Sequence, residues 1–279
     1  MKNKKITNIF KNIRPFNQIY QFLLIFFLIN FFSINLQAHE LWLEAKNFNF
    51  NNQDTLEVDI KIGQGFKGTP FGYYEPLKKK LYLENKNKKI ILNQRNGNFP
   101  AIQILVLDKG FHILNYETNS EKLKYESVEK FIEFLNEQNL ISFKGSIEKN
   151  KIPTESYKRF AKILLTDGSN DFFIQEPKLD FEFIALNSPY DQNNSYFEFQ
   201  LYKKTKPFGN WDVTVFSKDD ENVFKEIVKT NPNGIGKLRL FDNRIYLLSA
   251  VDLRKADYMD KIKHKSDWLS FWASLVFKR

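Results

Sequence analysis

The chain has three histidines in 279 residues and no cysteine. Borderline divalent metals favour imidazole nitrogen and thiolate sulfur, so His39, His112 and His264 hold whatever soft-donor chemistry the sequence offers. His39 stands in "AHELWLEA", directly behind the oily run "QFLLIFFLINFFSINLQ". A chain cut after Ala38 begins at His39 and presents two nitrogens from one residue, the α-amino group and ring Nδ1, which can close a chelate on a divalent metal. The amine titrates near about pH 7.7–8.0 and the imidazole near about 6.5, so both can be freed for a metal at neutral pH. His112, in "GFHILNYET", could add a third nitrogen, although it alternates onto the face of Leu114 and Tyr116, where a hydrogen-bonded structural histidine is the plainer expectation. His264 lies between Lys263 and Lys265, a poor place for a cation, and reads as a surface residue.

The leader decides whether His39 becomes a first residue. Residues 1–38 carry Lys2, Lys4, Lys5, Lys11 and Arg14 and no acid, then an apolar core from Ile19 to Ile34, then "LQA". Basic flank, apolar stretch and small residue at the cut is the order of a signal peptide. The apolar core is shorter than the ~20 residues that span a bilayer, which argues against an uncleaved anchor. Cleavage after Ala38 and a periplasmic destination are therefore expected, and a chain without thiols suits an oxidising compartment. Five of the 42 Lys+Arg residues and none of the 33 Asp+Glu residues precede His39, so the net charge falls from +9 to +4 on cleavage. The lysines that remain are scattered among Asn and Glu, with no basic stripe of the kind nucleic acid requires.

The elements that must position these residues read mainly as strands. "TLEVDIKIG" alternates apolar and polar residues, the period of a half-buried strand. "FPAIQILVLDKGFHILNYET" reads as a hairpin turning at Asp108-Lys109-Gly110, and "YFEFQLYKK", "WDVTVFSK", "GKLRLF", "RIYLLSAVDL" and "WLSFWASLVF" read as five further short strands. Many short strands between turn signals predict β-sandwich architecture. Two helical segments are expected in the middle. The first, near 127–140, places Val128, Phe131, Ile132 and Leu135 on one face behind a Ser127 N-cap; the second, near 155–166, does the same with Tyr157, Phe160, Ala161 and Leu164. The expected organisation is a signal peptide over 1–38, an N-terminal β-sandwich over 39–170 carrying the helical segments, and a C-terminal β-sandwich over 171–279.

Catalytic motifs are absent: there is no G-x-S-x-G, Walker loop or H-E-x-x-H. "GQGFKGTPFG" follows a strand and opens no helix, so it reads as a loop and not as a phosphate cradle. The acids of "KDDEN" read as a solvated turn. In the last strand Trp268, Ser270, Trp272 and Ser274 share one face; a buried strand outweighs a carbohydrate platform.

"AHELWLE", "IGQGFKG", "GFHILNYET", "ESYKRFAKILL" and "SDWLSFWASLVF" together resemble a family of bacterial exported proteins labelled as a NikM-like nickel-uptake periplasmic component. The resemblance implies β-sandwich architecture; with the strand pattern, the chain is expected to form two sandwich parts, immunoglobulin- or transthyretin-like, with a short helical insertion between them. "NPNGIGKLRL" followed by "NRIYLLSAVDL" resembles the strand-turn-strand of transthyretin-like modules. The same resemblance implies a non-enzymatic role in binding nickel or cobalt for import, with a membrane metal transporter as partner; nitrogen ligands also admit copper or zinc. By position His39 and His112 match the family's histidines, while Asp252, in "SAVDL", stands where a third histidine is expected. Asp is a harder ligand than imidazole, so the exchange alters the metal preference or removes the site. Glu40, Trp42 and Tyr116 are expected to support the ligands. Two other function classes start from the same residues: an interaction module of the cell envelope without metal, and a copper-dependent oxidative enzyme built on an N-terminal His39.

Overall fold

The computed structural model describes residues 39–279 apart from residues 52, 107, 149 and 170, so the signal peptide expected over 1–38 lies outside the described residues. A four-stranded sheet contains β1 (Glu40–Ala45), β2 (Thr55–Gln64), β3 (Lys67–Phe71) and β6 (Ile102–Leu105). A second four-stranded sheet contains β10 (Phe181–Ala185), β11 (Tyr196–Lys203), β12 (Lys206–Pro207) and β15 (Ile235–Arg239). Between them in the packing lies a nine-stranded sheet. From before residue 170 it takes β4 (Lys78–Asn85), β5 (Lys89–Ile91), β7 (His112–Thr118), β8 (Glu121–Lys124) and β9 (Thr154–Leu165). From after residue 170 it takes β13 (Asp212–Lys218), β14 (Val223–Lys229), β16 (Ile245–Lys255) and β17 (Trp268–Lys278).

Side-chain alternation makes this sheet the shared middle layer. Leu114 and Tyr116 of β7, Ala161, Ile163 and Leu165 of β9, and Val276 of β17 pack with β1 and β2 in one core. The intervening Ile113, Phe160, Leu164, Leu275 and Phe277 pack with Phe181, Phe183, Phe197 and Phe199 of the C-terminal sheet in another. The two halves meet in the parallel pairing of β9 with β17, from Trp268↔Glu155 to Val276↔Ile163. The fold is thus mainly β and sandwich-like, with the sandwich faces sharing one sheet across the boundary expected near residue 170.

Helix α1 (Val128–Glu137) forms where the apolar spacing predicts it, and the Ser127 side chain accepts the Lys130 N–H at its N-terminus. Phe131, Phe134 and Leu135 are buried against Trp268 and Trp272 in a third core. The tryptophans therefore face a helix; both are buried, which removes the carbohydrate-platform reading.

Two expectations need correction, and one element goes unforeseen. The helix expected over 155–166 is strand β9, hydrogen-bonded on both sides, to β7 and to β17. A strand buried on both faces is apolar almost throughout, so a helical period can be found in it by chance. The hairpin expected across Asp108-Lys109-Gly110 does not form: β6 pairs with β2 while β7 pairs with β4 and β9, so the connection passes between layers. Gly110 has φ +113, and a Cβ there would sit 2.1 Å from Asp171 Oδ2. Asp171 Oδ1 accepts the Phe111 N–H at 2.7 Å, steering the chain into β7. Lastly, the sequence reading leaves α2 (Tyr258–His264) undetected. The glycine-rich stretch is the β2–β3 hairpin, as a loop reading requires.

Candidate functional site

His39 immediately precedes β1 and is partly exposed, with its carbonyl oxygen accepting from Arg159 Nε at 3.2 Å. Arg159, buried on β9, also donates through Nη1 to Glu121 at 2.9 Å and stacks 4.5 Å from the Tyr157 ring. The start of the described chain is therefore pinned to the middle sheet by a guanidinium. Glu40, the next residue, is 4% exposed, and its Oε2 has no hydrogen-bond partner. Burial is the largest influence on its carboxyl and pushes it up to about 7, against the smaller opposing effects of the Gly65 N–H, Lys225 and Gln138.

His112 is buried, and both ring nitrogens have protein partners. Nδ1 lies 3.0 Å from the Gly110 carbonyl, which can only accept, so Nδ1 carries the proton. Nε2 lies 3.2 Å from Asn85 Nδ2. Asn85 Oδ1 accepts the Asn87 and Lys88 N–H groups, each at 2.9 Å, which fixes the amide orientation and makes Nε2 an acceptor. Burial lowers the His112 pKa, in keeping with a neutral ring, and Phe50 packs edge-on at 5.3 Å between ring centroids. This is the hydrogen-bonded structural histidine that the strand position suggests.

Asp252 lies on β16 and accepts an ion pair from Lys203 Nζ of β11 at 2.7 Å. It lines a cleft of about 530 Å³ with His264, Arg254 and Lys158. His264 has its pKa lowered, first by burial and then by Lys263, with Arg254 and Lys122 acting in the same sense.

The register separates the candidates. His112 pairs with Leu165 on β9, whereas Asp252 pairs through Phe271 with Lys158, seven residues back along the same strand. At ~3.3 Å per residue that is about 23 Å along the sheet. The two also project from opposite faces, His112 toward the N-terminal sheet and Asp252 toward the C-terminal one. His39 docks at Arg159, near the end of β9 remote from His112. No group of three or more His, Cys, Asp or Glu side chains placed to hold a metal occurs among the described residues. Of the expected supporting residues, Trp42 Nε1 donates to Glu44 at 3.0 Å, and Tyr116 is buried with its hydroxyl pKa raised, chiefly by desolvation.

Sequence reading missed a buried polar network between β9 and the C-terminal sheet. Lys162 Nζ is 2.5 Å from Glu182 Oε2 and 2.6 Å from Gln175 Oε1; Gln175 Nε2 donates to Glu84 at 2.9 Å and to Asn115 at 3.2 Å. The lysine pKa is lowered by burial against the opposing pull of Glu182. Its signal was Lys162 itself, a charge inside the apolar run "RFAKILL", uninformative while the run is read as a helix with a polar face. The acids of "KDDEN" form the turn between β13 and β14, where Asp219 Oδ1 accepts the N–H groups of Glu221 and Asn222.

No curated protein matches the chain. Residues 36–252 match DUF4198, a domain of unknown function, and with most of its length covered the chain belongs to that family.

Proposed function

We propose that the protein is exported to the periplasm and binds a divalent transition metal, nickel or cobalt, as cargo for uptake, with His39 as the first mature residue and the anchor of the site. The observation that carries this reading is the position of His39. It directly precedes β1, partly exposed, and its carbonyl is held by Arg159, so a chain cut after Ala38 begins at the edge of the folded body. The amine and imidazole of that residue would supply the chelate, and the role is binding and hand-over to a membrane transporter, not catalysis. His112 and Asp252 lie outside this donor set, since each is engaged by protein partners and they are far apart.

That engagement favours one second reading, an envelope interaction module without metal. The test is to recover the processed protein from the periplasm, define its N-terminus by mass spectrometry, and titrate Ni(II) and Co(II). Micromolar or tighter binding, lost in His39→Ala and retained in His112→Asn, is the expected result. An N-terminus other than His39, or no micromolar binding, overturns the metal reading and leaves the interaction module; binding indifferent to His39→Ala overturns His39 as the anchor.

A further inference from the structure

Helix α2 buries none of its own residues, although three of its seven are large and apolar. Tyr258 is 78% exposed, Met259 68% and Ile262 56%. At ~3.6 residues per turn these three share one face, with Lys261 on one flank and Lys263 on the other. The helix is held firmly. Asp257 and Asp260 form a capping box, and Asp260 also accepts both ends of the Arg254 guanidinium, so the acids of the segment are spent on the scaffold.

The surroundings are basic. Residues 254–265 hold five basic residues and two acids, a surplus of three charges where the whole chain from His39 onward has four. Lys122 of β8 adds to the positive field felt by His264. Glu148 faces this cluster from outside the helix, 3.5 Å from Lys255 and 3.9 Å from Lys261, and Asp180 and Asp252 line the adjoining cleft with Arg254 and Lys263.

We propose that α2 docks this protein on an anionic lipid surface. Tyr258, Met259 and Ile262 enter the boundary between headgroups and acyl chains, while Lys255, Lys261, Lys263 and Lys265 meet the lipid phosphates. Apolar residues flanked by lysines whose stems can lie along the interface are what such a surface selects. A protein partner suits the element less well. The helix is only about 10 Å long and convex, whereas a stable protein interface takes about 800 Å² from each side. The inference is independent of metal binding.

The test is co-sedimentation of the chain from His39 to Arg279, which contains all three cores, with vesicles of phosphatidylcholine alone and of phosphatidylcholine with phosphatidylglycerol. Expected is association with the anionic vesicles only, weakened by salt. Replacing Tyr258, Met259 and Ile262 together by Ser, or Lys263 and Lys265 together by Glu, should each weaken it by about tenfold or more. Lys237→Glu, on β15, should leave it unchanged. Thermal unfolding checks that the variants stay folded, which α2's lack of buried residues predicts. Equal association with both vesicle types, an apolar-triple variant that binds like the parent, or an α2 that ignores vesicles while binding an acidic protein overturns the proposal.

Discussion

Glu40 combines near-complete burial with an oxygen that no donor reaches, and its carboxyl is pushed up to about 7 from an ordinary 4.5. Between those values the folded chain holds a proton that the unfolded chain has released. The stability linked to that proton is fully present below pH 4.5 and is lost as pH rises through about 7. Glu40→Gln keeps the neutral shape at every pH. Its stability should match the parent below pH 4.5 and exceed it by at most about 3 kcal/mol above pH 7. Urea unfolding in metal-free buffer on either side of the window measures the difference; a parent-like curve for the variant at both ends would sink the assignment. Legibility at this scale is uneven. The strand alternation of "GFHILNYET" placed His112 correctly on the face of Leu114 and Tyr116. Its partners are not legible locally, because Asn85 lies on a neighbouring strand and Gly110 in a connection whose Asp-Lys-Gly run fits a hairpin turn. Asp252 is a candidate by positional resemblance alone, and its ion pair with Lys203 depends on a packing between layers that local sequence does not encode.

Elements differ in how far local sequence determines them. α1 is amphipathic, capped by Ser127 and packed through one face, so period and cap both point to it. β9 is buried on both faces and takes its identity from β7 and β17, which are distant in sequence; "ESYKRFAKILL" alone fits a helix equally well. The contrast predicts where α1 draws its stability. Phe131 is fully buried, 5.0 Å from Trp268 and 4.9 Å from Tyr125 between ring centroids. Phe131→Ala should cost about 3–5 kcal/mol. Ser127→Ala should cost about 1 kcal/mol, the loss of one cap. Both are read by urea unfolding; equal costs would mean that propensity and capping, not docking on the tryptophans, hold the helix in place.

Across the whole molecule, the middle sheet makes the halves interdependent. Phe160 and Leu164 of β9 complete the C-terminal core, while Phe216, Leu247 and Val276, from strands after residue 170, complete the N-terminal one. Lys162 and Glu182 add a charge pair across two layers, both side chains at or below 2% exposed. Breaking a buried pair leaves one charge without its partner, so Glu182→Gln should cost about 3–5 kcal/mol. Lys162→Met with Glu182→Leu should recover most of that loss, because neither residue then carries a charge. Since this pair joins β9 to β10 across the boundary near residue 170, its loss should lower the stability of both halves together. The chain from His39 should therefore unfold in one transition by near-ultraviolet circular dichroism and by tryptophan fluorescence, shifted as a whole in Glu182→Gln. A fragment ending at residue 170 lacks β17, leaves one edge of β9 unpaired and exposes Phe160 and Leu164. It should show no cooperative transition. Two separate transitions in the longer chain, or a fragment that melts cooperatively, would mean that each half closes its own core and that the shared sheet is only a contact between finished domains.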